Sequence, residues 1–305
     1  MSQKAQLVVE GKKLSVSNLD KVLYPKVGFT KGQVIDYFIR VAPVLLPHLK
    51  DRPLTMKRYP DGVEGEFFYE KNCPSHRPKW VKTAKVWSEG NQQIMHYCLA
   101  NDLPTLVWAA NLADLELHTS LSRKNKIERP TTMVFDLDPG APADIVQCCQ
   151  VGVWLRDLLA EMKLKSWAKT SGSKGLQVYV PLNTAITYDE TKNLSRALAQ
   201  HLEHEHADRV TSNMSKAVRK GKVFVDWSQN DEHKTTICAY SLRAKEEPTV
   251  STPVTWNEVE NCLKKKNVEL LKFRSDQVLA RMEKLGDLFE PVENLKQKPP
   301  RKWKL

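Results

Sequence analysis

The chain has 305 residues, of which 41% are hydrophobic, and 47 Lys and Arg against 36 Asp and Glu give a formal net charge of +11. This length suits one large domain or two ordinary ones, and the basic excess favours a polyanionic partner such as nucleic acid. No apolar run near the length of a membrane span and no signal-peptide segment is present, so we expect an intracellular protein.

The cysteines give no disulfide or metal signature. None of them belongs to a C-x-x-C pair, and such dispersed cysteines in an intracellular protein are usually buried, reduced thiols. Cys73 with His76, and His96 with Cys98, could form a zinc site, although their spacing is not that of a standard finger. The six are Cys73, Cys98, Cys148, Cys149, Cys238 and Cys262.

The first 120 residues predict a hairpin, a long helix and several strands. Residues 6–16 fit a short hairpin with Gly11-Lys12 at its turn. A helix is predicted from Thr30 to Leu49, because its apolar residues fall on one stripe. Further along we expect strands at Leu54–Pro60 and Glu66–Lys71, then a helix and a strand within residues 103–120.

Three aspartates stand in strand-like segments. In Met133–Asp138 the alternation places Asp136 and Asp138 on one face, about 6–7 Å apart along the strand. Like charges so placed repel each other unless a cation lies between them. Asp226, in the strand predicted at Lys222–Trp227, could complete a site for two Mg²⁺ or Mn²⁺ ions of the kind used in phosphoryl displacement. The alternative for Asp136 and Asp138 is that one caps the next helix at the strand end and the other is salt-bridged.

The remaining elements are interleaved but irregular. A helix is predicted through Met162 and a strand at Leu176–Val180, and capping boxes begin helices at Thr187 and Thr255. Thr235–Leu242 is predicted to pair with the Asp226 strand. The order indicates an α/β (α+β) fold with central mixed or antiparallel sheets flanked by helices. We expect one domain over residues 1–288, as a single unit or as two intertwined α/β subdomains, and a basic C-terminal tail at 289–305.

A glycine loop and a basic run accompany the carboxylates. Thr170–Gly175 could turn backbone N–H groups toward a phosphate, although it is not a Walker A loop and alone is more often an ordinary turn. Ser215–Lys222 could grip a triphosphate or be a solvated loop. The aromatic run Phe67-Phe68-Tyr69 suits either core packing or base stacking.

Taken in order, these motifs resemble the polymerase domain of bacterial and archaeal ligase D, in the archaeo-eukaryotic primase superfamily. The likeness rests on F-D-L-D-P-G at 135–140, S-G-S-K-G at 171–175, V-D-W-S-Q-N at 225–230, Y-S-L-R at 240–243 and D-K-V-L-Y-P at 20–25. Each motif alone is weak, but the ordered combination is specific. The resemblance implies a primase-polymerase fold.

The resemblance also implies a function. It is that of a non-homologous end-joining polymerase, which extends a primer 3′-hydroxyl on gapped or broken DNA, prefers ribonucleotides and uses two Mn²⁺ or Mg²⁺ ions. The catalytic residues would be His118 and the metal ligands Asp136, Asp138 and Asp226. The expected nucleotide contacts are Lys57, Ser171, Lys174, Arg219, Gln229, Lys234 and Arg243. The expected DNA contacts are Lys21 and Lys31 at a downstream 5′-phosphate, and Arg58, Phe68 and Tyr69 at the template.

Two positions depart from the family pattern. Gln177 stands where the family often has a histidine, and Ser120 stands where a tryptophan often follows the His118 motif. Gln177 can donate a hydrogen bond to a phosphate but cannot be cationic, which bears on nucleotide affinity. No ligase or nuclease motif is present, so we expect either a stand-alone polymerase with separately encoded Ku and ATP-dependent DNA ligase partners or a piece of a longer chain. The expected location is the prokaryotic cytoplasm, at the nucleoid.

Three alternatives remain at this point. A replicative-type DNA primase would differ by making dinucleotides de novo. A non-catalytic DNA-end-binding protein would suit the charge and the aromatic residues, but it has no need for three carboxylates that repel phosphate without a metal. A haloacid-dehalogenase-type phosphatase usually carries its D-x-D near the N-terminus, whereas here the motif is at Asp136 and Pro-Gly follows it.

Overall fold

A computed structural model describes residues 4–300, which divide into two compact units of mixed α and β structure. The first unit comprises residues 4–125, Thr235–Ser251 and Phe273–Gly286. The second comprises Lys126–Lys234, Thr252–Lys272 and residues 287–300. Within residues 4–300, no helix has both the length and the apolar character that crossing a bilayer requires.

The strands and helices follow one another in irregular order, and the predicted fold class is confirmed. The strands are β1 (Lys4–Val9), β2 (Lys12–Ser17), β3 (Val22–Tyr24), β4 (Phe29–Thr30), β5 (Leu54–Arg58), β6 (Phe68–Glu70), β7 (Thr83–Ser88), β8 (Gln93–Cys98), β9 (Asp114–Thr119), β10 (Thr132–Pro139), β11 (Trp167–Thr170), β12 (Leu176–Pro181), β13 (Val210–Thr211), β14 (Val223–Asp226), β15 (Thr236–Ile237) and β16 (Pro253–Val254). The helices are α1 (Lys31–Leu49), α2 (Leu103–Asn111), α3 (Ile145–Glu161), α4 (Tyr188–Glu205), α5 (Trp256–Lys265), α6 (Ser275–Leu285) and α7 (Glu290–Asn294).

The helix starts follow their capping signals. Thr30 accepts a hydrogen bond from the backbone of Gln33 and the Gln33 side chain accepts one from Thr30, so a capping box begins α1. The capping boxes predicted at Thr187 and Thr255 are both confirmed at the starts of α4 and α5. A further box at Asp144 begins α3. These local interactions satisfy the backbone N–H groups that each first turn leaves unpaired.

The larger sheet of the first unit is antiparallel, in the order β15-β9-β5-β8-β7, with β6 paired to β5. The N-terminal hairpin is confirmed, with β1 paired to β2 around Gly11. The prediction that Thr235–Leu242 pairs with the Asp226 strand is wrong, because only Thr236–Ile237 is a strand and it pairs with β9. The chain leaves the second unit after Lys234, so neighbours in sequence do not become neighbours in one sheet.

The sheet of the second unit has the order β13-β14-β10-β12-β11-β16, with β10 between two antiparallel neighbours. Helix α3 covers the face that carries Leu137 and Leu176: a Cβ added at Gly152 would lie 2.9 Å from Leu176 and 3.6 Å from Leu137. Because side chains alternate along a strand, Asp136 and Asp138 project from the opposite face.

The expected basic tail is partly packed in the structure. Residues 290–294 form α7, and Asn183 donates hydrogen bonds to the backbone oxygens of Val292 and Leu295. Gln297 donates to the backbone oxygens of Lys165 and Pro181. Residues 289–297 are therefore anchored on the second unit, whereas residues 301–305 lie outside the described part of the chain.

One pair of cysteines is oxidised. Cys73 and Cys98 form a disulfide, so the expectation of six reduced thiols is wrong for these two, and neither thiol is available for the zinc site considered above. The backbone N–H of Cys73 donates to the His96 oxygen, which brings the loop after β6 against the end of β8. The other four cysteines are buried free thiols. A separation of 25 residues carried no spacing signal for this pair.

Asp114 is a fully buried carboxyl in the first unit, and neither of its oxygens meets the geometry of a hydrogen bond with a described residue. Burial raises its pKa well above the usual range, and the backbone of Lys57 and the charge of Arg58 offset this only in part. Asp114 is therefore protonated in the folded chain at a pH where the unfolded chain has lost that proton.

Asp114→Asn is expected to stabilise the protein at pH 8 by on the order of 1–2 kcal/mol. At that pH the wild type must either protonate the buried carboxyl or bury its charge, and the neutral amide avoids this cost. Because the pKa of Asp114 is raised in the folded chain, the wild type loses stability as pH rises above the unfolded pKa of about 3.9. The stability gained by Asp114→Asn should therefore shrink toward pH 4. Thermal melts at both pH values check this. Asp102→Ala is the control, because Asp102 caps α2 and is paired with Lys12, and its loss should destabilise. A pH-independent gain at Asp114 would contradict the account.

Candidate active site

The predicted site residues fall into two groups, one in each unit. In the second unit Asp136 on β10 lies directly opposite Asp226 on β14. Residues so paired have Cβ atoms about 4.5–5.5 Å apart. Asn230 fixes this register, because its side chain accepts from the backbone N–H of Val134 at 2.9 Å and donates to its oxygen at 2.7 Å. Asp138 is exposed at the end of β10.

Asp226 has several hydrogen-bond partners. Its Oδ1 accepts from the backbone and hydroxyl of Ser228, at 2.9 and 2.6 Å, and so caps the short 3₁₀ helix Trp227–Gln229. Its Oδ2 accepts from Gln229 at 2.8 Å, and Lys234 donates to the Ser228 hydroxyl. Of the predicted nucleotide contacts, Gln229 thus binds the Asp226 carboxylate directly, and Lys234 binds the Ser228 hydroxyl that donates to it. Asp226 is therefore also the N-cap of the helical turn that follows β14.

Asp136 is the carboxylate whose surroundings fit a cation. Its Oδ1 is buried and has no hydrogen-bond partner among the described residues. Burial, reinforced by the charges of Asp138 and Asp226, raises the pKa of Asp136 to about 7. A divalent ion would supply the missing partner and offset the repulsion. However, within residues 4–300 no three His, Cys, Asp or Glu side chains are grouped closely enough to hold a metal, so the ligand role of the three aspartates stays a prediction.

The glycine loop approaches β10 closely. A Cβ at Gly175 would lie 2.2 Å from the Leu137 oxygen, so only glycine fits where the loop passes the strand. The Ser171 hydroxyl accepts from the backbone N–H groups of Ser173 and Gly175, at 3.2 and 3.0 Å. The backbone N–H groups of Ser173 and Gly175 thus donate to a hydroxyl within the loop, and Ser171 stabilises the turn. Lys174 is exposed at its tip.

The basic run 215–222 is attached to the end of β10. The backbone N–H of Gly140 donates to Lys222 and that of Gly221 donates to Gly140, at 2.8 and 2.9 Å. A side chain at Gly140 would collide with the Arg219 oxygen, 1.9 Å from its Cβ. The glycine that ends the aspartate motif is therefore needed for this contact. Arg219 lies over the ring of Phe224 and donates to the Met214 oxygen.

Glu116 is the centre of the site residues in the first unit. Its buried carboxylate binds His118 at 3.1 Å, Lys57 at 3.4 Å and Arg243 at 3.2 Å, and accepts from the backbone of Ala244 at 3.0 Å. Although burial alone would raise its pKa, these partners hold the pKa of Glu116 well below its usual range. One carboxylate thus brings together three residues that the sequence predicted separately.

The surroundings of His118 favour its neutral form. Burial lowers its pKa, while its hydrogen bond to Glu116 opposes the shift. A neutral imidazole donates from one nitrogen only, so Nε2–H toward Glu116 leaves Nδ1 as an acceptor. Tyr69 contacts the ring edge to face, with centroids 5.9 Å apart. His118 can therefore accept a proton or a hydrogen bond from a reacting group.

Basic side chains at the end of β5 lie beside the aromatic side chains of residues 67–69 on and before β6. Lys57 lies 4.2 Å from the centroid of Phe67 and 5.4 Å from that of Tyr69. Arg58 is paired with Glu70 at 2.6 Å and lies 4.9 Å from the centroid of Phe68. Phe68 and Tyr69 are 43% and 55% exposed, more than core packing would leave them. Exposed rings beside cations are typical of base-stacking surfaces.

Lys21, Lys31 and Arg58 form a cationic group in the first unit. Lys31 is buried, and its Nζ donates to the Ser17 oxygen at 2.7 Å. Burial and the charges of Lys21 and Arg58 lower the pKa of Lys31 to about 8. Lys21 is exposed and paired with Asp61 at 2.7 Å. Mutually repelling cations of this kind are suited to a doubly charged phosphate.

Two residues of these groups were missed in the sequence. Glu116 carries no recognisable motif, because it is a single carboxylate in an apolar strand, although its i, i+2 spacing to His118 places both on one face. Lys169 on β11 is fully buried, and its Nζ donates to Gln177 Oε1 at 2.5 Å. Only the order of strands shows that Lys169 and Gln177 share a row with Asp136.

Similarity to known proteins identifies the family of this chain. The family model "LigD, primase-polymerase domain" matches residues 30–289. The chain is 40% identical over 283 residues to the multifunctional non-homologous end joining protein LigD of Mycolicibacterium smegmatis, covering 92% of this chain and 36% of that protein. It is 34% identical over 289 residues to the bifunctional non-homologous end joining protein LigD of Bacillus subtilis, covering 94% of this chain and 45% of that protein.

A solved structure is similar over nearly its whole length. The polymerase domain from Mycobacterium tuberculosis ligase D, in complex with DNA, matches with a TM-score of 0.85 at 38% identity, covering 92% of this chain and 98% of that one. The expected primase-polymerase fold is therefore confirmed. The chain spans less than half the length of the curated relatives named above. It belongs to the LigD primase-polymerase domain family of DNA-directed nucleotidyltransferases.

Proposed function

We propose that this chain extends a primer 3′-hydroxyl on gapped or broken DNA, prefers ribonucleotides and acts in double-strand break repair by non-homologous end joining. The observation that carries the proposal is the pairing of Asp136 with Asp226 across β10 and β14, together with the buried Oδ1 of Asp136, which has no hydrogen-bond partner within residues 4–300. The relatives are named as end-joining proteins, and the similar structure was solved with DNA, which supports DNA as the substrate.

The reaction joins the primer 3′-hydroxyl to the nucleotide α-phosphate, and pyrophosphate leaves. Asp136, Asp138 and Asp226 would hold two Mn²⁺ or Mg²⁺ ions, which supply Lewis-acid stabilisation of the triphosphate charge and a more acidic hydroxyl. The protein itself binds, orients and neutralises. The paired carboxylates are rigid, because β10 lies between two neighbouring strands and Asn230 fixes the register of its Val134.

The roles proposed for the remaining residues follow from the family resemblance. In the first unit Lys57 and Arg243, both held by Glu116, are proposed nucleotide contacts, and His118 is proposed to accept a hydrogen bond from a reacting group. Phe68 and Tyr69, with Arg58, are proposed to contact the template. In the second unit Ser171 and Gln229 would act by shaping the loop and orienting Asp226. The cationic contacts proposed for the triphosphate there are Lys174, Arg219 and Lys234.

The experiment that tests this function is primer extension on gapped DNA with a 5′-phosphate, using ribonucleotides or deoxyribonucleotides with Mn²⁺ or Mg²⁺. We expect extension, faster with ribonucleotides. Dinucleotide synthesis from nucleotides and a template without any primer would instead indicate a replicative-type primase. Pull-down with Ku and an ATP-dependent DNA ligase tests the proposed partners separately.

Recognition of a 5′-phosphate should depend on pH through Lys31. Its pKa of about 8 means that the ammonium is present below that pH and is lost above it. We expect the affinity ratio of 5′-phosphorylated to 5′-hydroxyl gapped DNA to fall as pH rises from 7 to 9, by up to about tenfold for one coupled proton.

Fluorescence anisotropy at constant ionic strength measures this ratio. Lys31→Arg is the matched variant, because a guanidinium stays charged through this range and should flatten the profile. An equally steep profile in Lys31→Arg would show that another group is responsible. If the wild type bound 5′-phosphorylated and 5′-hydroxyl DNA equally well at pH 7, the proposed binding of the 5′-phosphate by Lys21 and Lys31 would be contradicted.

A further inference from the structure

Four polar residues form one row across the sheet of the second unit. Lys169 on β11 pairs with Gln177 on β12, Gln177 pairs with Asp136 on β10, and Asp136 pairs with Asp226 on β14. Residues directly opposite one another on antiparallel strands project from the same face. The row therefore runs from a lysine through an amide to the paired carboxylates.

The lysine at the end of this row is fully buried, and Gln177 is 3% exposed. Lys169 Nζ donates to Gln177 Oε1 at 2.5 Å and lies 5.4 Å from the ring centroid of Tyr179. Because both side chains are closed to solvent, we expect neither to contact a nucleotide directly. Burying the amino group of a lysine costs free energy, which suggests that Lys169 has a specific role inside the protein.

The position of Lys169 decides which way the Gln177 amide points. A lysine only donates hydrogen bonds, so the amide oxygen of Gln177 must point toward Lys169. The NH₂ group of the amide then points away from Lys169. On that side stands Asp136, which lies directly opposite Gln177 on the neighbouring strand and accepts a hydrogen bond from its side chain. Without Lys169 the amide could present either its oxygen or its nitrogen to Asp136.

We propose that Lys169 is a positioning residue for nucleotidyl transfer: it fixes the orientation of Gln177, whose NH₂ group in turn holds the Asp136 carboxylate. This rests on the function proposed above for Asp136. The Lys169–Gln177 pair thereby takes the place of the histidine that the family often carries at position 177. A histidine can donate to the carboxylate from its own ring, whereas an amide needs a neighbour that fixes its orientation.

The inference predicts a particular pattern of kinetics. Lys169→Met conserves the length of the side chain and removes the donor. It should lower kcat about 10-fold to 100-fold, which is the usual effect of losing a residue that orients a metal ligand. The KM for the nucleotide should stay unchanged, because neither residue contacts it. Gln177→Leu should have the same effect. The double variant should be no worse than either single variant, since Lys169 acts through Gln177.

Two controls separate positioning from folding. Thermal melts report whether each variant is folded, and Gln177→Leu serves as a second variant in the same row should Lys169→Met fail to fold. Lys169→Met combined with Gln177→His should recover most of the activity, because the imidazole supplies its own donor. A merely structural loss at Lys169 would not be rescued by a change at position 177.

A spectroscopic readout needs neither metal nor substrate. In protein labelled with ¹⁵N-glutamine, the Gln177 side-chain NH₂ signals are those that Gln177→Leu removes. We expect them to exchange slowly with solvent in the wild type and to exchange faster or broaden in Lys169→Met. Unchanged signals would overturn the inference, as would additive kinetic losses or a loss confined to KM.

The same assay distinguishes failure of this inference from failure of the proposed function. Asp136→Asn is measured beside the other variants. Full activity in Asp136→Asn overturns the proposed function itself. An inactive Asp136→Asn with unaltered kcat in Lys169→Met overturns only the role of Lys169.

Discussion

Asp136→Asn is expected to reduce primer extension by about 10³-fold, because it removes the charge that would bind a divalent ion while keeping the size of the side chain. That factor corresponds to about 4 kcal/mol, within the range of charge stabilisation that a bound metal supplies. The same change should not destabilise the fold. Asp136 lies opposite Asp226, and burial and repulsion raise its pKa to about 7, so an uncharged residue relieves an unfavourable contact.

The measurement is kcat/KM for ribonucleotide addition on gapped DNA, with thermal melts of the same preparations. Asp144→Asn is the matched control, since Asp144 follows the same strand but caps α3, a role that asparagine can fill. It should retain nearly wild-type activity. If Asp136→Asn retained more than about a tenth of the activity, a loss of less than 1.4 kcal/mol, the carboxylate would not be a metal ligand.

Glu116→Gln is expected to impair both stability and catalysis. The change leaves Lys57, His118 and Arg243 around a neutral amide, and breaking such a buried group of charges costs about 3–5 kcal/mol. The depressed pKa of Glu116 gives the sign of the pH dependence. The stability that ionised Glu116 contributes is fully present above its unfolded pKa of about 4.3 and declines as pH falls below that value. The difference in unfolding free energy between wild type and Glu116→Gln should therefore narrow in acid.

Chemical denaturation at pH 7 and pH 4 measures this difference, and steady-state kinetics should show a higher nucleotide KM because Lys57 and Arg243 lose their anchor. Glu70→Gln is the comparison, since Glu70 holds only Arg58 in a partly exposed pair. Its cost should be near 1 kcal/mol or less. Equal losses for the two variants would contradict the central role of Glu116.

Local features of the fold could be predicted from the sequence. The capping boxes at Thr187 and Thr255 begin helices because the residues that interact are three positions apart. The alternation around Asp136 and Asp138 gave the correct strand and the correct common face. In each case the controlling contacts lie within a few residues of one another.

Non-local contacts could not be predicted in this way. The pairing of β15 with β9, and the disulfide between Cys73 and Cys98, depend on which segments the tertiary structure brings together. The same holds for the Glu116–Arg243 pair, whose members are 127 residues apart. The family resemblance supplied the roles of individual residues, but it could not show that Gln177 is oriented by Lys169.

The most direct test of the central account is extension of a labelled primer on gapped, 5′-phosphorylated DNA by the wild-type chain, with Mn²⁺, with Mg²⁺ and with EDTA. The account predicts that the primer grows by nucleotides complementary to the gap when either metal is present, more efficiently with ribonucleotides, and not at all in EDTA. A chain that binds the gapped DNA tightly yet leaves the primer unextended with both metals would contradict it, and would indicate a protein that binds DNA ends without catalysis.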